Sequence, residues 1–86
     1  MEINLISDTV TKPSLEMLNY MNSCNVGDDV FKEDPTVNAL ENKVAKMFKM
    51  EKALFFPSGT MTNQTAIKIH THPGDQLICS KTAHVY

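Results

Sequence analysis

The order of apolar and polar segments predicts an α/β fold, in which strands and helices alternate along the chain. An apolar run at residues 53–57 is followed by a helical pattern at 61–70 and a second apolar run at 77–80. A strand, a helix and a strand in so few residues imply a parallel pair with a right-handed crossover. Such a pair needs further strands and cover on both faces. We therefore expect these 86 residues to be the opening part of a larger domain, present here as a truncated piece.

The first half is predicted to contain an arm and two helices. Residues 1–12 form the arm, and Pro13 and Ser14 begin a helix that runs to about residue 22. Asp34 is predicted to cap a second, longer helix, with Pro35 at its first position. Its apolar residues recur at helical spacing: Val37, Leu40, Val44, Met47 and Phe48. The opposite side, predicted to face solvent, is formed by Glu41, Lys43, Lys46 and Lys49.

The chain is thus divided into an arm (1–12), a helical region (13–50), a strand-helix-strand unit (53–80) and a final loop (81–86). A turn at residues 72–75 separates the last helix from the last strand. The methionines are expected to fill gaps in the core.

Composition excludes several classes of protein. The chain is 42% hydrophobic and 21% charged, which is typical of a globular domain with a modest core. The net charge of -2 is spread without runs, so we expect neither a nucleic-acid nor a membrane partner. Cys24 and Cys79 are far apart and match no disulfide or metal spacing, which favours a reduced, cytoplasmic protein. His70 and His72 are expected to be solvated or to cap a helix end, so no metal site is predicted.

The residues Ser58, Gly59 and Thr60, called the Ser-Gly-Thr turn below, can be interpreted in two ways. They join the strand at 53–57 to the following helix, so Ser58 or Thr60 can cap that helix while the glycine makes the bend. The same arrangement places unpaired backbone N–H groups and two hydroxyls at a helix N-terminus, where a phosphate can bind. Three residues by themselves do not decide between the two.

His84 lies in the loop that follows the second strand. Parallel strands deliver their following loops to the same edge of a sheet, so residues 81–86 are predicted to emerge on the side of the Ser-Gly-Thr turn. An imidazole there can stack on a flat cofactor, act as an acid or base, or play a structural role.

Four segments together resemble one known family. In order, they are "LISDTVTKP", "VGDDVFKEDPTVNALE", "ALFFPSGTMTNQ" and "PGDQLICSKTAHVY". They resemble the N-terminal portion of the threonine aldolases, within the β-eliminating lyase group of pyridoxal-phosphate enzymes. The resemblance implies the large domain of the aminotransferase-like fold (fold type I), incomplete in this chain. It also implies a homodimer or homotetramer that cleaves threonine or allo-threonine to glycine and acetaldehyde.

The resemblance implies roles for five residues. Ser58, Gly59 and Thr60 would hold the phosphate of pyridoxal 5'-phosphate. His84 would lie over the cofactor ring near the substrate hydroxyl, as a catalytic and cofactor-binding residue. Ser7 would contact the substrate carboxylate or its neighbourhood, although Asp8 and Thr9 can instead organise the arm.

The chain departs from the family at Phe31 and Lys32, where members usually have tyrosine and glycine. Its eight basic residues are all lysines, none of which matches the lysine that binds the cofactor covalently, and no arginine is present to bind a carboxylate. We therefore expect an enzyme in the full-length parent and an inactive 86-residue piece. The alternative is a non-catalytic, phosphate-binding α/β fragment.

Overall fold

The computed structural model describes residues 3–86, in which three helices are joined by turns and extended segments. The helices are α1 (Leu15–Ser23), α2 (Pro35–Phe48) and α3 (Gly59–His70). Two short 3-10 helices, Asp8–Val10 and Asp29–Phe31, precede α1 and α2. Residues 1 and 2 of the predicted arm lie outside the described residues.

Local side-chain caps explain where the first two long helices begin. Ser14 Oγ accepts the Met17 N–H at 3.3 Å at the start of α1. Asp34 Oδ1 accepts the N–H groups of Thr36 and Val37 at 2.9 and 2.8 Å, and Pro35 occupies the first position of α2. Both predicted helix starts are confirmed, because a cap depends only on residues close in sequence.

The predicted strands are not formed in the described part of the chain. Residues 53–57 and 77–80 contain no strand and no pairing partner, so the parallel pair at the basis of the α/β prediction is not confirmed. The reason is that a strand needs a neighbouring backbone to accept and donate its hydrogen bonds. The turn at 72–75 is confirmed, with the Asp75 N–H donating to the His72 carbonyl at 3.0 Å and Gly74 at a φ of 101°.

The helices pack loosely. The radius of gyration is 17.0 Å, whereas a compact chain of this length would have about 12 Å. Among the described residues only Asp34 and Ala45 are buried. The apolar positions predicted to face a core are exposed at Leu40, Met47 and Phe48, because no two helices share an extensive interface.

The methionines expected to fill a core are also exposed. Met17, Met21, Met47, Met50 and Met61 all have large accessible fractions. Helical periodicity identifies which side of a helix is apolar, but burial requires a second element against that side. The expectation of a methionine-filled core is therefore wrong for the described residues.

The most tightly bonded region is the Asp34 loop, residues 27–34. Asp34 Oδ2 accepts the Gly27 N–H at 3.0 Å, and the Glu33 N–H donates to the Asp28 carbonyl at 2.9 Å. A Cβ at Gly27 would collide with the Glu33 carbonyl, so the loop closes only with glycine at this position. The N–H groups of Val37, Gly27 and Thr36 together lower the pKa of the Asp34 carboxyl.

Replacement of Asp34 is expected to destabilise the first turn of α2. Asp34→Ala removes the acceptor of three N–H groups and should lower the thermal midpoint by a few degrees, whereas Asp34→Asn, itself a good cap, should lower it less. Because the folded pKa is lowered, this stabilisation is present above the ordinary aspartate pKa. It is lost as the pH falls through the folded pKa. Circular dichroism melts across acid pH test this, and equal midpoints for both variants would contradict it.

Candidate functional site

Ser58 is the residue that caps α3. Its Oγ accepts the Met61 N–H at 3.2 Å, and its carbonyl accepts the Thr62 N–H at 3.1 Å. The helix therefore begins at Gly59, two residues earlier than the sequence predicted. Of the two candidate caps, Ser58 and Thr60, the structure selects Ser58.

The next two N–H groups of the Ser-Gly-Thr turn have no acceptor within residues 3–86. They belong to Gly59 and Thr60, the first two positions of α3, which have no acceptor within a helix. A Cβ built on Gly59 meets nothing within 4 Å, so the space beside the glycine is open. Free donors, an adjacent hydroxyl and open space are what an anion such as a phosphate requires at a helix N-terminus.

His84 is exposed in a loop of successive turns. The loop is held by two backbone hydrogen bonds, from the Ala83 N–H to the Ser80 carbonyl at 2.9 Å and from the Tyr86 N–H to the Ala83 carbonyl at 3.1 Å. In the part of the chain that the structure describes, the imidazole makes no hydrogen bond. The ring is thus available for a ligand, and no structural role is evident for it.

Ser7 organises the N-terminal arm. Its Oγ accepts the Thr9 N–H at 3.2 Å and the Thr9 hydroxyl at 2.9 Å, and it donates to Asp8 Oδ1 at 3.1 Å. Ser7 is half-buried and caps the 3-10 helix Asp8–Val10. Asp8 and Thr9, the residues that can organise the arm, therefore both take part in its hydrogen bonds.

The described residues do not assemble these groups into one site. No hydrogen bond, ion pair or cavity between residues 3 and 86 joins the Ser-Gly-Thr turn to His84 or Ser7. The sequence prediction relied on paired parallel strands to bring the two loops to one edge. Without that pairing, each loop is placed only by its own local hydrogen bonds.

Glu41 differs from its predicted role as a solvent-facing residue. It was assigned to the solvent side of α2, but its side chain is only 17% exposed and its Oε1 accepts the Phe55 N–H at 2.9 Å. Its Oε2 lies 4.0 Å from Lys32 Nζ. The two side chains line an open cleft of about 430 Å³. Helical periodicity could not reveal this, because the contact depends on the later segment returning along α2.

Lys32 adopts a left-handed conformation, with a φ of 61°. This is the position at which the resembled family usually has glycine, the residue that takes this conformation most readily. The backbone is nevertheless held there, because the Lys32 N–H donates to the Asp29 carbonyl at 3.1 Å and the Asn38 side chain donates to the Lys32 carbonyl at 2.8 Å. Two hydrogen bonds therefore hold Lys32 in a conformation that glycine adopts more readily than lysine.

Residues 3–86 lack two further features, a metal-binding cluster and a membrane-spanning helix. No cluster of three or more histidine, cysteine, aspartate or glutamate side chains is arranged to hold a metal ion there. The same residues include no helix with the length and apolar character needed to cross a bilayer.

Comparison with known proteins identifies the family. The family model described as Beta-eliminating lyase matches residues 4–86. The chain belongs to the beta-eliminating lyase family. This confirms the resemblance inferred from the four sequence segments.

Individual members of the beta-eliminating lyase family are similar over almost the whole chain. The low specificity L-threonine aldolase of Escherichia coli (strain K12) is 46% identical over 84 residues, which are 98% of this chain and 25% of that protein. The low-specificity L-threonine aldolase 1 of Arabidopsis thaliana is 41% identical over 98% of this chain and 24% of its own length. That of Saccharomyces cerevisiae is 42% identical over 96% of this chain and 22% of its length.

The chain spans about a quarter of the length of these curated relatives. No solved structure matches the chain.

The capping assignment predicts different effects for the two hydroxyl residues of the Ser-Gly-Thr turn. Ser58→Ala should lower the free energy of unfolding by about 1 kcal/mol, because the Met61 N–H loses its acceptor. Thr60→Ala should change it by less than about 0.5 kcal/mol, because the Thr60 hydroxyl bonds to no described residue. Urea unfolding of both variants measures the difference, and a larger loss for Thr60→Ala would reverse the assignment.

Proposed function

We propose that this chain is the N-terminal part of a pyridoxal-phosphate-dependent lyase that cleaves β-hydroxy-α-amino acids. The substrates would be threonine or allo-threonine, and the products glycine and acetaldehyde. The observation that supports this most strongly is 46% identity, over 98% of the chain, to a protein named low specificity L-threonine aldolase. Family membership over residues 4–86 adds to it.

The proposal includes the α/β architecture that the described residues do not form by themselves. Residues 53–57 and 77–80 would become parallel strands of an aminotransferase-like large domain once further strands lie beside them. The four parts of the chain keep the ranges 1–12, 13–50, 53–80 and 81–86. The exposed apolar side chains on α1 and α2 are what such a domain would cover.

The Ser-Gly-Thr turn fits the phosphate of the cofactor. The N–H groups of Gly59 and Thr60 would donate to the phosphate, and the Thr60 hydroxyl would add a third donor. Ser58 shapes the turn by capping α3. When bound, pyridoxal phosphate supplies an electron sink that weakens the bonds at the α-carbon of an amino acid.

His84 and Ser7 would act on the cofactor ring and the substrate. The imidazole of His84 would lie over the ring and accept the proton of the substrate hydroxyl as the carbon–carbon bond breaks. Ser7 would contact the substrate carboxylate with the half-buried hydroxyl that now bonds to Thr9 and Asp8.

Some groups that the reaction requires have no match among these 86 residues. A lysine that binds the cofactor, a partner for its ring nitrogen and cations for the substrate carboxylate are not identified here, so the 86 residues alone would be inactive. The full-length protein would be a cytoplasmic homodimer or homotetramer. The loose packing favours a second candidate, a non-catalytic phosphate-binding fragment. Isolation of the longest encoded polypeptide and assay of glycine release from threonine separates the two.

Gly59→Val in the full-length protein tests the phosphate site. Its side chain would enter the open space beside the first N–H groups of α3 and should weaken pyridoxal-phosphate binding by about 10- to 100-fold. The fold should be retained, because a Cβ at this position meets no other atom within 4 Å. Fluorescence titration of the cofactor-free protein measures the affinity.

Gly59→Ala is the matched variant, and its smaller side chain should give an intermediate loss of affinity. A thermal melt of each cofactor-free variant controls for misfolding. If Gly59→Val binds pyridoxal phosphate with wild-type affinity, the Ser-Gly-Thr turn has only a structural role.

His84→Phe tests the proton-transfer role. Phenylalanine keeps a flat ring for stacking but removes the nitrogen that accepts the proton. We expect retained cofactor binding and a cleavage rate lower by a factor on the order of one hundred. Steady-state kinetics with threonine provide the measurement, with His84→Ala expected to lose both functions. Full activity of His84→Phe would rule out proton transfer by His84.

A further inference from the structure

One hydrogen bond ties the segment that leads into the Ser-Gly-Thr turn to the rest of the described chain. Residues 51–57 form no regular secondary structure. Within residues 3–86, their single hydrogen bond runs from the Phe55 N–H to Glu41 Oε1, at 2.9 Å. Phe55 lies three positions before Ser58, so this bond is the last fixed point of the backbone before the turn.

Glu41 lies where it can fix the position of the Phe55 backbone. It belongs to α2, the longest helix described, and its side chain is only 17% exposed. A hydrogen bond from an N–H to a carboxylate is stronger than one between neutral groups. The ion pair with Lys32, at 4.0 Å and with the lysine 59% exposed, contributes little by comparison.

Apolar side chains of the same segment lie beside α2. Leu40 and Val44 of the helix, together with Leu54 and Phe55 of the segment, line a small cavity of about 150 Å³. Apolar attraction has no preferred direction, so it cannot fix the register of the segment along the helix. The hydrogen bond to Glu41 does fix it, because it joins one specific N–H to one specific oxygen.

We propose that Glu41 is a positioning residue for the Ser-Gly-Thr turn. By accepting the Phe55 N–H, on the side of the segment that a single neighbouring strand leaves unpaired, it fixes where the first N–H groups of α3 stand relative to α2. This inference rests on the proposed function, in which Gly59 and Thr60 bind the cofactor phosphate. Without the acceptor, residues 51–57 gain conformational freedom that phosphate binding must then remove, and affinity falls. Glu41 acts through the backbone and does not itself touch the phosphate.

Two substitutions in the full-length protein separate the hydrogen bond from the charge. Glu41→Ala removes the acceptor, and we expect pyridoxal-phosphate affinity to fall about tenfold, the size of one such hydrogen bond. Glu41→Gln keeps a side-chain oxygen but no charge, and affinity should stay within about threefold of wild type. Glu51→Ala is the matched control, because Glu51 lines the same cleft but makes no hydrogen bond to a described residue.

Hydrogen exchange of the Phe55 amide in the cofactor-free protein gives a readout that does not depend on catalysis. It should be faster in Glu41→Ala than in wild type and close to wild type in Glu41→Gln. A merely structural role for Glu41 would lower the thermal midpoint and leave the cofactor affinity of the folded protein unchanged.

The outcomes distinguish this inference from the proposed function. If wild type binds pyridoxal phosphate and Glu41→Ala binds it equally well, the positioning role is wrong and the proposed function stands. A loss of affinity in Glu41→Gln as large as that in Glu41→Ala would also overturn the inference, because a side-chain acceptor would then not be sufficient to position the segment. If wild type itself binds no pyridoxal phosphate, the proposed function fails and the inference fails with it.

Discussion

The carboxylate of Asp34 is the interaction on which the ordered part of this chain depends. One oxygen caps α2 through Thr36 and Val37, and the other closes the preceding loop through the Gly27 N–H. A single buried side chain thus fixes both the start of the longest helix and the loop before it. Because three N–H groups stabilise its charged form, the pKa of the Asp34 carboxyl lies below that of an ordinary aspartate.

Helix α2 in turn orients the segments on either side of it. The Asp34 loop brings Lys32 to one side of Glu41, and residues 51–57 return along the helix so that Phe55 meets Glu41 from the other. The Ser-Gly-Thr turn follows directly. The position of the candidate phosphate site is therefore linked, through α2, to the loop that contains Lys32.

Predictions that depend on residues close in sequence were correct, whereas those that depend on distant segments were not. The helix start at Ser14, the cap at Asp34 and the turn at 72–75 were correct, because each depends on residues close in sequence. Family membership was also correct, since four motifs in order are specific. The strands and the buried methionines were not found, because both need partners from distant segments. Glu41 was missed for the same reason, since its acceptor role appears only when Phe55 is beside it.

Residues close in sequence were sufficient to predict where α1 and α2 begin, and four motifs in order were sufficient to predict the family. Local hydrogen bonds and characteristic motifs are sufficient for these, because their partners are adjacent in the chain. That Glu41 is covered and accepts the Phe55 N–H is visible only in the tertiary structure, because the two residues are 14 positions apart. Burial and hydrogen-bond partners depend on which backbone returns to which side chain. Helical periodicity contains no information about that return.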